Sequence, residues 1–396
     1  MSREVLTELC KLPHRGGGTS NERKAAKIIY KNMKFLGLNP RVEFFPVNKN
    51  GFFFYDLIFR IAILVCIILT FINFYAAFFL SFVVLALYAR ETYVGFTDLN
   101  PFFKRKSQNI IGKIENPNAR RRVIFLAHYD SAKEMRILTS KFAEFYQKKL
   151  EFIPTFVKNP FFIGNMFWYL AILFLFLRLI GFRTIFLDVI LAICFLINVF
   201  MVYTVVRIMK ADYVPGASDN ASGVQVVFNL AERFKEENIG NIEFWFVATG
   251  FEEGGRKGAM NLVSRHKEEF LDKDTYFVNI DGVGADLLVL LKAEVNENSI
   301  YTKYPKSMIN LALKTAHRLN MKYVVTKSIA VLTDGHVFID RWIEGITLVS
   351  LDKEWGYKEN YHQKTDKFKN LNFGTIKQAE ELAYEFTKDL LKLQYY

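Results

Sequence analysis

The chain is poor in cysteine, with three in 396 residues. Cys66 and Cys194 lie inside apolar runs, and Cys10 has neither a partner nor zinc-type spacing. That argues against a disulfide framework and against a thiolate metal site. The first fifty residues have no short apolar core and no small-residue cleavage site, which predicts no signal peptide. There is no internal repeat and no nucleic-acid motif, although the net charge is +12. The basic residues are spread along the chain. Beside long apolar runs, that balance points to anionic lipid head groups and away from nucleic acid.

Charge is missing altogether from Ile61 to Ala89. The apolar region around it, Gly51 to Ala89, is nearly twice the ~20 residues that a single membrane span needs. A polar break at Thr70 and Asn73 divides it into helices of about 52–70 and 74–90. A second apolar region, Pro160 to Val206, is interrupted by Arg178, Gly181 and Arg183 and reads as helices of about 161–179 and 184–207. Asp188 within it would be costly against lipid, so it should lie near the membrane boundary or face another helix. Hydrophobic residues make up 51% of the chain, high for a soluble enzyme.

The remainder has the pattern of a soluble α/β enzyme. Ser20 to Phe35 reads as an amphipathic helix capped by Ser20, with Ala25, Ala26, Ile28, Ile29 and Met33 inward. Arg41 to Val47 reads as an edge strand. Strands at 109–114 and 122–127 are joined by a turn at Glu115 to Asn118. Further strands fall at 242–248, 276–280 and 346–351, and helices at 221–234, 257–269, 306–319, 335–343 and 375–391. Alternating strands and helices predict an α/β fold: a mostly parallel mixed sheet sandwiched by helices, with two inserted transmembrane hairpins. The expected division is 1–50, first part of the catalytic domain; 51–90, hairpin one; 91–159, a second catalytic segment; 160–207, hairpin two; 208–396, the main catalytic part.

Several strands end in a possible metal donor: His128, Glu252 with Glu253, Asp281, and His362 in a following loop, while Asp219 precedes a helix. Ligands of open α/β sheets bind at the carboxyl ends of strands. Two imidazoles and three carboxylates suit zinc, with manganese or cobalt as alternatives. They are too many for one tetrahedral catalytic ion and about right for two ions sharing a carboxylate. Singly, each has a plainer reading: a polar loop residue, a helix cap for Asp219, a turn for Asp281, an acidic turn for the Glu pair.

Taken in order, His128-Tyr129-Asp130-Ser131, Gly216 to Gly223, Phe251-Glu252-Glu253-Gly254, Asn279-Ile280-Asp281 and Tyr361-His362 resemble the motifs of the co-catalytic zinc aminopeptidase family, which also includes glutamate carboxypeptidases and glutaminyl cyclases. The resemblance covers about 1–50, 107–135 and 212–396, not the hairpins. It implies two Zn²⁺ per chain bridged by Asp219, with His128 and Glu253 completing one site and Asp281 and His362 the other. It implies that Asp130 bonds the His128 ring, that Glu252 is the general base acting on a metal-activated water, and that Tyr361 donates to the oxyanion. Asp366 matches an acidic residue common in the family, while Asp334 and His336 match too loosely to be ligands.

The expected function is a membrane-anchored zinc exopeptidase acting on peptides, most readily an aminopeptidase. The alternatives are a glutaminyl cyclase, a carboxypeptidase, or a non-catalytic receptor that keeps the fold. His128 lies between the apolar regions and Asp219 after both, so the second region must cross the bilayer an even number of times or not at all, and the N-terminal helix and strand, expected to pack on the same domain, put the first region under the same parity. Lys49, Arg90, Lys104, Arg105, Lys106, Lys148, Lys149, Lys158, Arg207 and Lys210 flank the soluble ends, against Arg178 and Arg183 at the tips. The positive-inside rule then puts the catalytic domain in the cytoplasm. Oligomeric state and side-chain preference do not follow from the sequence.

Overall fold

The computed structural model describes residues 3–94, 104–135, 160–182, 184–237, 239, 241–295, 301–327, 332–352 and 360–393. Lys148, Lys149, Lys158 and Arg183 fall outside them.

The N-terminal helices are α1 (Arg3–Cys10) and α2 (Ser20–Phe35). Thr19 caps α2, not Ser20: its hydroxyl accepts from the Glu22 main-chain N at 3.3 Å. Ala25, Ala26, Ile29 and Met33 are buried as the periodicity predicts, with Ile28 only partly so. Gly37, at φ 72°, ends the helix region in a conformation that suits glycine.

One mixed sheet forms the centre. Its strands are β1 (Arg41–Asn48), β2 (Lys104–Ile114), β3 (Arg121–His128), β4 (Ile242–Thr249), β5 (Asp274–Asp281), β6 (Leu287–Val295), β7 (Tyr301–Lys303), β8 (Tyr323–Lys327) and β9 (Glu344–Leu351). The spatial order is β1-β2-β4-β3-β5-β9-β6-β7, with β8 also on β6. The middle four, β4, β3, β5 and β9, are parallel to one another. The flanks are antiparallel: β1 on β2, β2 on β4, and β6 on β9 and β7. The turn at 115–118 does not join sheet neighbours, because β4 inserts between β2 and β3. β1 is an edge strand, as expected.

Helices cover the sheet: α7 (Ser222–Glu237), α8 (Lys257–Arg265), α9 (Lys267–Asp272), α10 (Lys306–Arg318), α11 (Asp334–Ile339) and α12 (Phe373–Lys392), numbered after the four apolar helices below. The helix expected at 257–269 breaks at His266, whose φ of −106° and ψ of 19° are not helical. The centre of the core is aromatic. Phe125 stacks on Phe246 and Phe234 at 5.5 and 5.3 Å, locking β3 against β4 and α7.

The apolar regions form α3 (Phe52–Leu69), α4 (Phe74–Val94), α5 (Pro160–Leu179) and α6 (Ile185–Lys210), which pack on one another. Of these, α3 and α6 are long and apolar enough to cross a membrane by length and composition. Asp188 meets a helix partner: it pairs with Arg178 of α5 at 2.6 Å. Inside the bundle, Arg60 bonds Asp56 at 2.9 Å and Asn165 at 3.2 Å, and Asn165 bonds the Tyr88 hydroxyl at 3.2 Å. These buried polar groups are therefore partnered.

Candidate metal centre

The four parallel strands at the middle of the sheet all run the same way, so their carboxyl ends meet at one edge. His128 closes β3, Asp281 closes β5, and Glu252 and Glu253 follow β4 by three and four residues. His362 comes from the loop after β9, at φ 54°. Asp219 lies in a tight turn, Ala217–Ala221, at the head of α7, and its peptide bond to Asn220 is cis.

Nitrogen and oxygen atoms of these residues converge. His128 Nε2 lies 3.2 Å from Asp219 Oδ1 and 3.7 Å from Asp281 Oδ1. His362 Nε2 lies 3.4 Å from Asp219 Oδ2 and 3.2 Å from Glu253 Oε2. Two donor groups result, His128-Asp219-Asp281 and Asp219-Glu253-His362, and they share Asp219. This grouping differs from the expected one: His128 goes with Asp281, and Glu253 with His362. β3 borders both β4 and β5, so the grouping rests on the reach of the individual side chains and not on strand order. A third group joins His128, Glu252 and Glu253.

The donor set fits divalent cations. All five residues are at least nearly buried, yet His362 Nε2 and Glu253 Oε1 have no hydrogen-bond partner. Buried carboxylates this close repel one another and need a cation among them. The same field acts on the imidazoles. Burial alone would lower the His362 pKa, but Glu253 and then Asp219 push it up to about 10. Burial opposes protonation of His128 too, and Asp130, Asp219 and Asp281 outweigh it. Glu252 is pushed well above the usual carboxylate range, chiefly by burial, with His128 pulling the other way.

Asp130 lies beside the His128 ring and also braces the Glu pair. Its carboxylate accepts from the main-chain N of Glu252 at 2.9 Å and of Glu253 at 3.2 Å. His128 Nδ1 is 3.6 Å from Asp130 Oδ1, too far for a hydrogen bond. Tyr361 stacks on the His362 ring at 3.8 Å between centroids and lines a cleft of about 600 Å³ beside Asp219.

Other residues hold the donors in place. Asp366 accepts from Ser218 N at 2.7 Å and Asp219 N at 3.0 Å, which fixes the turn that carries Asp219. Asn220 donates to Ile280 O at 2.8 Å and accepts from Gly223 N and Gly282 N at 2.9 Å each. It thus ties the Asp219 turn to the end of β5. Gly223 permits this approach, because a Cβ there would lie 2.2 Å from Asn220 Oδ1. Asp334, not a ligand, lies buried beneath the site, where its carboxylate accepts from the Thr249 hydroxyl.

Arg15 is the residue that reading the sequence missed. It is fully buried, and it donates to the carbonyls of Tyr129 at 2.7 Å, Pro215 at 2.6 Å and Gly216 at 2.5 Å. It clasps the His128 strand end to the approach of the Asp219 turn. No pattern marks it, because its partners are main-chain atoms more than a hundred residues away.

Residues 203–387 match the family model described as Peptidase family M28. That stretch is similar to the peptidases of this family, and by class the chain falls among the zinc metallopeptidase hydrolases. Solved structures share the M28 fold seen here. The LapA aminopeptidase of Legionella pneumophila is 11% identical at a TM-score of 0.56, over 100% of this chain and 71% of its own. BSAP, a zinc aminopeptidase from Bacillus subtilis, is 14% identical at 0.55, over 99% and 96%. The Porphyromonas gingivalis glutaminyl cyclase is 14% identical at 0.57, over 98% and 97%. At such identities the likeness concerns the fold. No curated protein sequence matches the chain significantly.

Proposed function

We propose that the chain is a membrane-anchored exopeptidase that removes N-terminal residues from peptides and holds two zinc ions. Two donor groups sharing Asp219, with Glu252 beside both, carry the reading. His128 and Asp281 would hold one ion, Glu253 and His362 the other, and Asp219 both. Bound there, zinc would supply Lewis acidity and a lowered water pKa.

The chain's own residues do the rest. The Glu252 carboxylate takes a proton from the attacking water and returns it to the leaving amine nitrogen. Asp130 holds the backbone of the Glu pair. Tyr361 faces the cleft, where its hydroxyl can donate to the oxyanion.

The cleft favours an amino terminus over a carboxylate. Glu134, Asp286 and Asp352 line it. Lys364 is the one cation among its described lining residues, and it is paired with Asp212 at 2.9 Å and Glu134 at 3.6 Å. A carboxypeptidase would need a cation free for the substrate carboxylate.

Residues 51–90 and 160–207 act as two membrane hairpins inserted between 1–50, 91–159 and 208–396. The bundle's outer surface supports this, with Ile61, Val65, Phe79, Phe82, Leu196 and Phe200 all exposed. The soluble ends leave toward the cytoplasm on the charge asymmetry. Hydrolysis of aminoacyl reporters by zinc-loaded protein tests the catalytic reading. Glu252→Gln should lose ~10²–10⁴-fold in rate. Full activity in that variant would remove Glu252 as the base, and cyclised products from N-terminal Gln peptides would favour a cyclase.

A further inference from the structure

Both donor loops are fastened to the same end of the apolar helix bundle. On one side, Phe52, the first residue of α3, donates its main-chain N to the carbonyl of Gly254 at 3.0 Å. Gly254 directly follows Glu253. The approach is so close that a Cβ on Gly51 would lie 2.3 Å from the Gly254 oxygen, and Gly51 adopts φ 51°. On the other side, Met135 donates its main-chain N to the carbonyl of His362 at 3.0 Å, and its sulfur lies 3.4 Å from His362 Nδ1. The Met135 side chain is buried against Phe53 of α3 and Val205 and Ile208 of α6. Lys133 reinforces the joint by donating to the Met209 carbonyl near the end of α6.

The dimensions then place the centre. α6 has 26 residues, about 39 Å at the usual helical rise, against a hydrocarbon core of about 30 Å. Its last turn carries Arg207 and Lys210, which belong at head-group level. Val205 and Ile208, at that same depth, touch the residue that holds His362. One layer of side chains separates the donor loops from the membrane boundary.

The cleft beside the centre is lined mostly by polar residues, among them Ser218, Asp286, Asn360, Gln363, Thr365 and Asn372. Among the described residues, that lining offers little to hold an apolar side chain. The bilayer itself can do so, by concentrating apolar or lipid-anchored peptides at the surface where the centre lies.

We propose that the substrates are chain ends presented at the bilayer surface, the free N-termini of membrane-inserted or lipid-anchored peptides, and not freely dissolved peptides. This rests on the membrane-anchored peptidase reading above.

The test uses the full chain, zinc-loaded, in phospholipid vesicles. One reporter peptide series carries a C-terminal acyl chain inserted in the same vesicles, and the matching series has none. Several N-terminal residues are compared, at equal bulk concentration. The expected result is at least ~10-fold faster hydrolysis of the anchored series. The advantage should be largest with a short spacer, about four to eight residues at the extended rise. It should vanish when enzyme and peptide occupy separate vesicles. Equal rates for both series would overturn the inference and leave the peptidase reading standing. So would an advantage that appears only with spacers beyond about fifteen residues, which would place the centre far from the surface. If neither series is hydrolysed, the peptidase reading fails and the inference falls with it.

Discussion

Asp130 holds the backbone of Glu252 while lying beside the ring of His128. Its Oδ1 accepts from Glu252 N at 2.9 Å, while His128 Nδ1 stands 3.6 Å away. The residue two places after one donor therefore sets the position of the proposed base on the next strand. Asp130→Ala should keep its zinc and lose rate in kcat more than in KM, by ~10–100-fold, the usual cost of such supporting groups. Asp130→Asn, which keeps one acceptor oxygen, should recover part of the loss. Loss of zinc along with rate would show that Asp130 serves the His128 ring instead.

Arg15 offers a test of how the site is braced. Its guanidinium satisfies three carbonyls, two of them in buried contacts. Arg15→Met leaves those acceptors unpaired, which costs about 1–3 kcal/mol for each buried group left without a partner. Urea unfolding of the full chain in mild detergent should show a lower midpoint. Arg15→Lys should not restore it, because a single ammonium cannot reach three divergent oxygens in a planar fork. An unchanged midpoint in both variants would mean that the carbonyls find other donors.

Glu22 predicts a pH dependence of stability away from the donors. It is buried, and its carboxyl is raised from 4.5 to about 8, first by burial and then by the Asp130 charge. The folded chain thus keeps the proton that the unfolded chain releases above pH 4.5. Stability should fall as pH rises from about 4.5 to about 8 and then level off, with a slope of at most about 1.4 kcal/mol per pH unit from this group. Glu22→Gln should flatten that slope while keeping an acceptor for the Ser107 hydroxyl, which now lies 2.5 Å from Glu22 Oε1. Thermal unfolding of the two forms at pH 5 and pH 8 checks it. Equal slopes would contradict it.

Topology is open to labelling. A single cysteine at Lys106, with Cys10, Cys66 and Cys194 replaced, should resist an impermeant thiol reagent in intact cells and react once they are permeabilised. Labelling in intact cells would reverse the sidedness. The reversal would leave the proposed hairpin at 160–207 intact, because that reading rests on His128 and Asp219 sharing one site.

Much of this was legible in the sequence because the relevant signals are local. The bounds of α3 to α6 follow apolar runs, and α2 follows its 3.6-residue period. His128, Glu253, Asp281 and His362 stand where a strand has just ended, so order along the chain foretells convergence. What the sequence hides is set by neighbours in space. The sharing of donors between the two groups depends on how far side chains reach from β3, β5 and the loops after β4 and β9. β6, β7 and β8 are short or flanked by charge, and they went unread. Asp130 looked like a partner of the imidazole two residues before it, and only the β4 turn shows what it holds. The fastening of Gly254 and His362 joins them to residues more than two hundred positions away and leaves no mark in either segment.

The central claim is that Asp219 serves two ions at once. The zinc content of the purified full chain, measured by elemental analysis against folded protein, tests it most directly. The account predicts two Zn²⁺ per chain, two again in Glu252→Gln, and neither tightly held in Asp219→Ala. One zinc per chain, or a folded wild type that binds none, would contradict it.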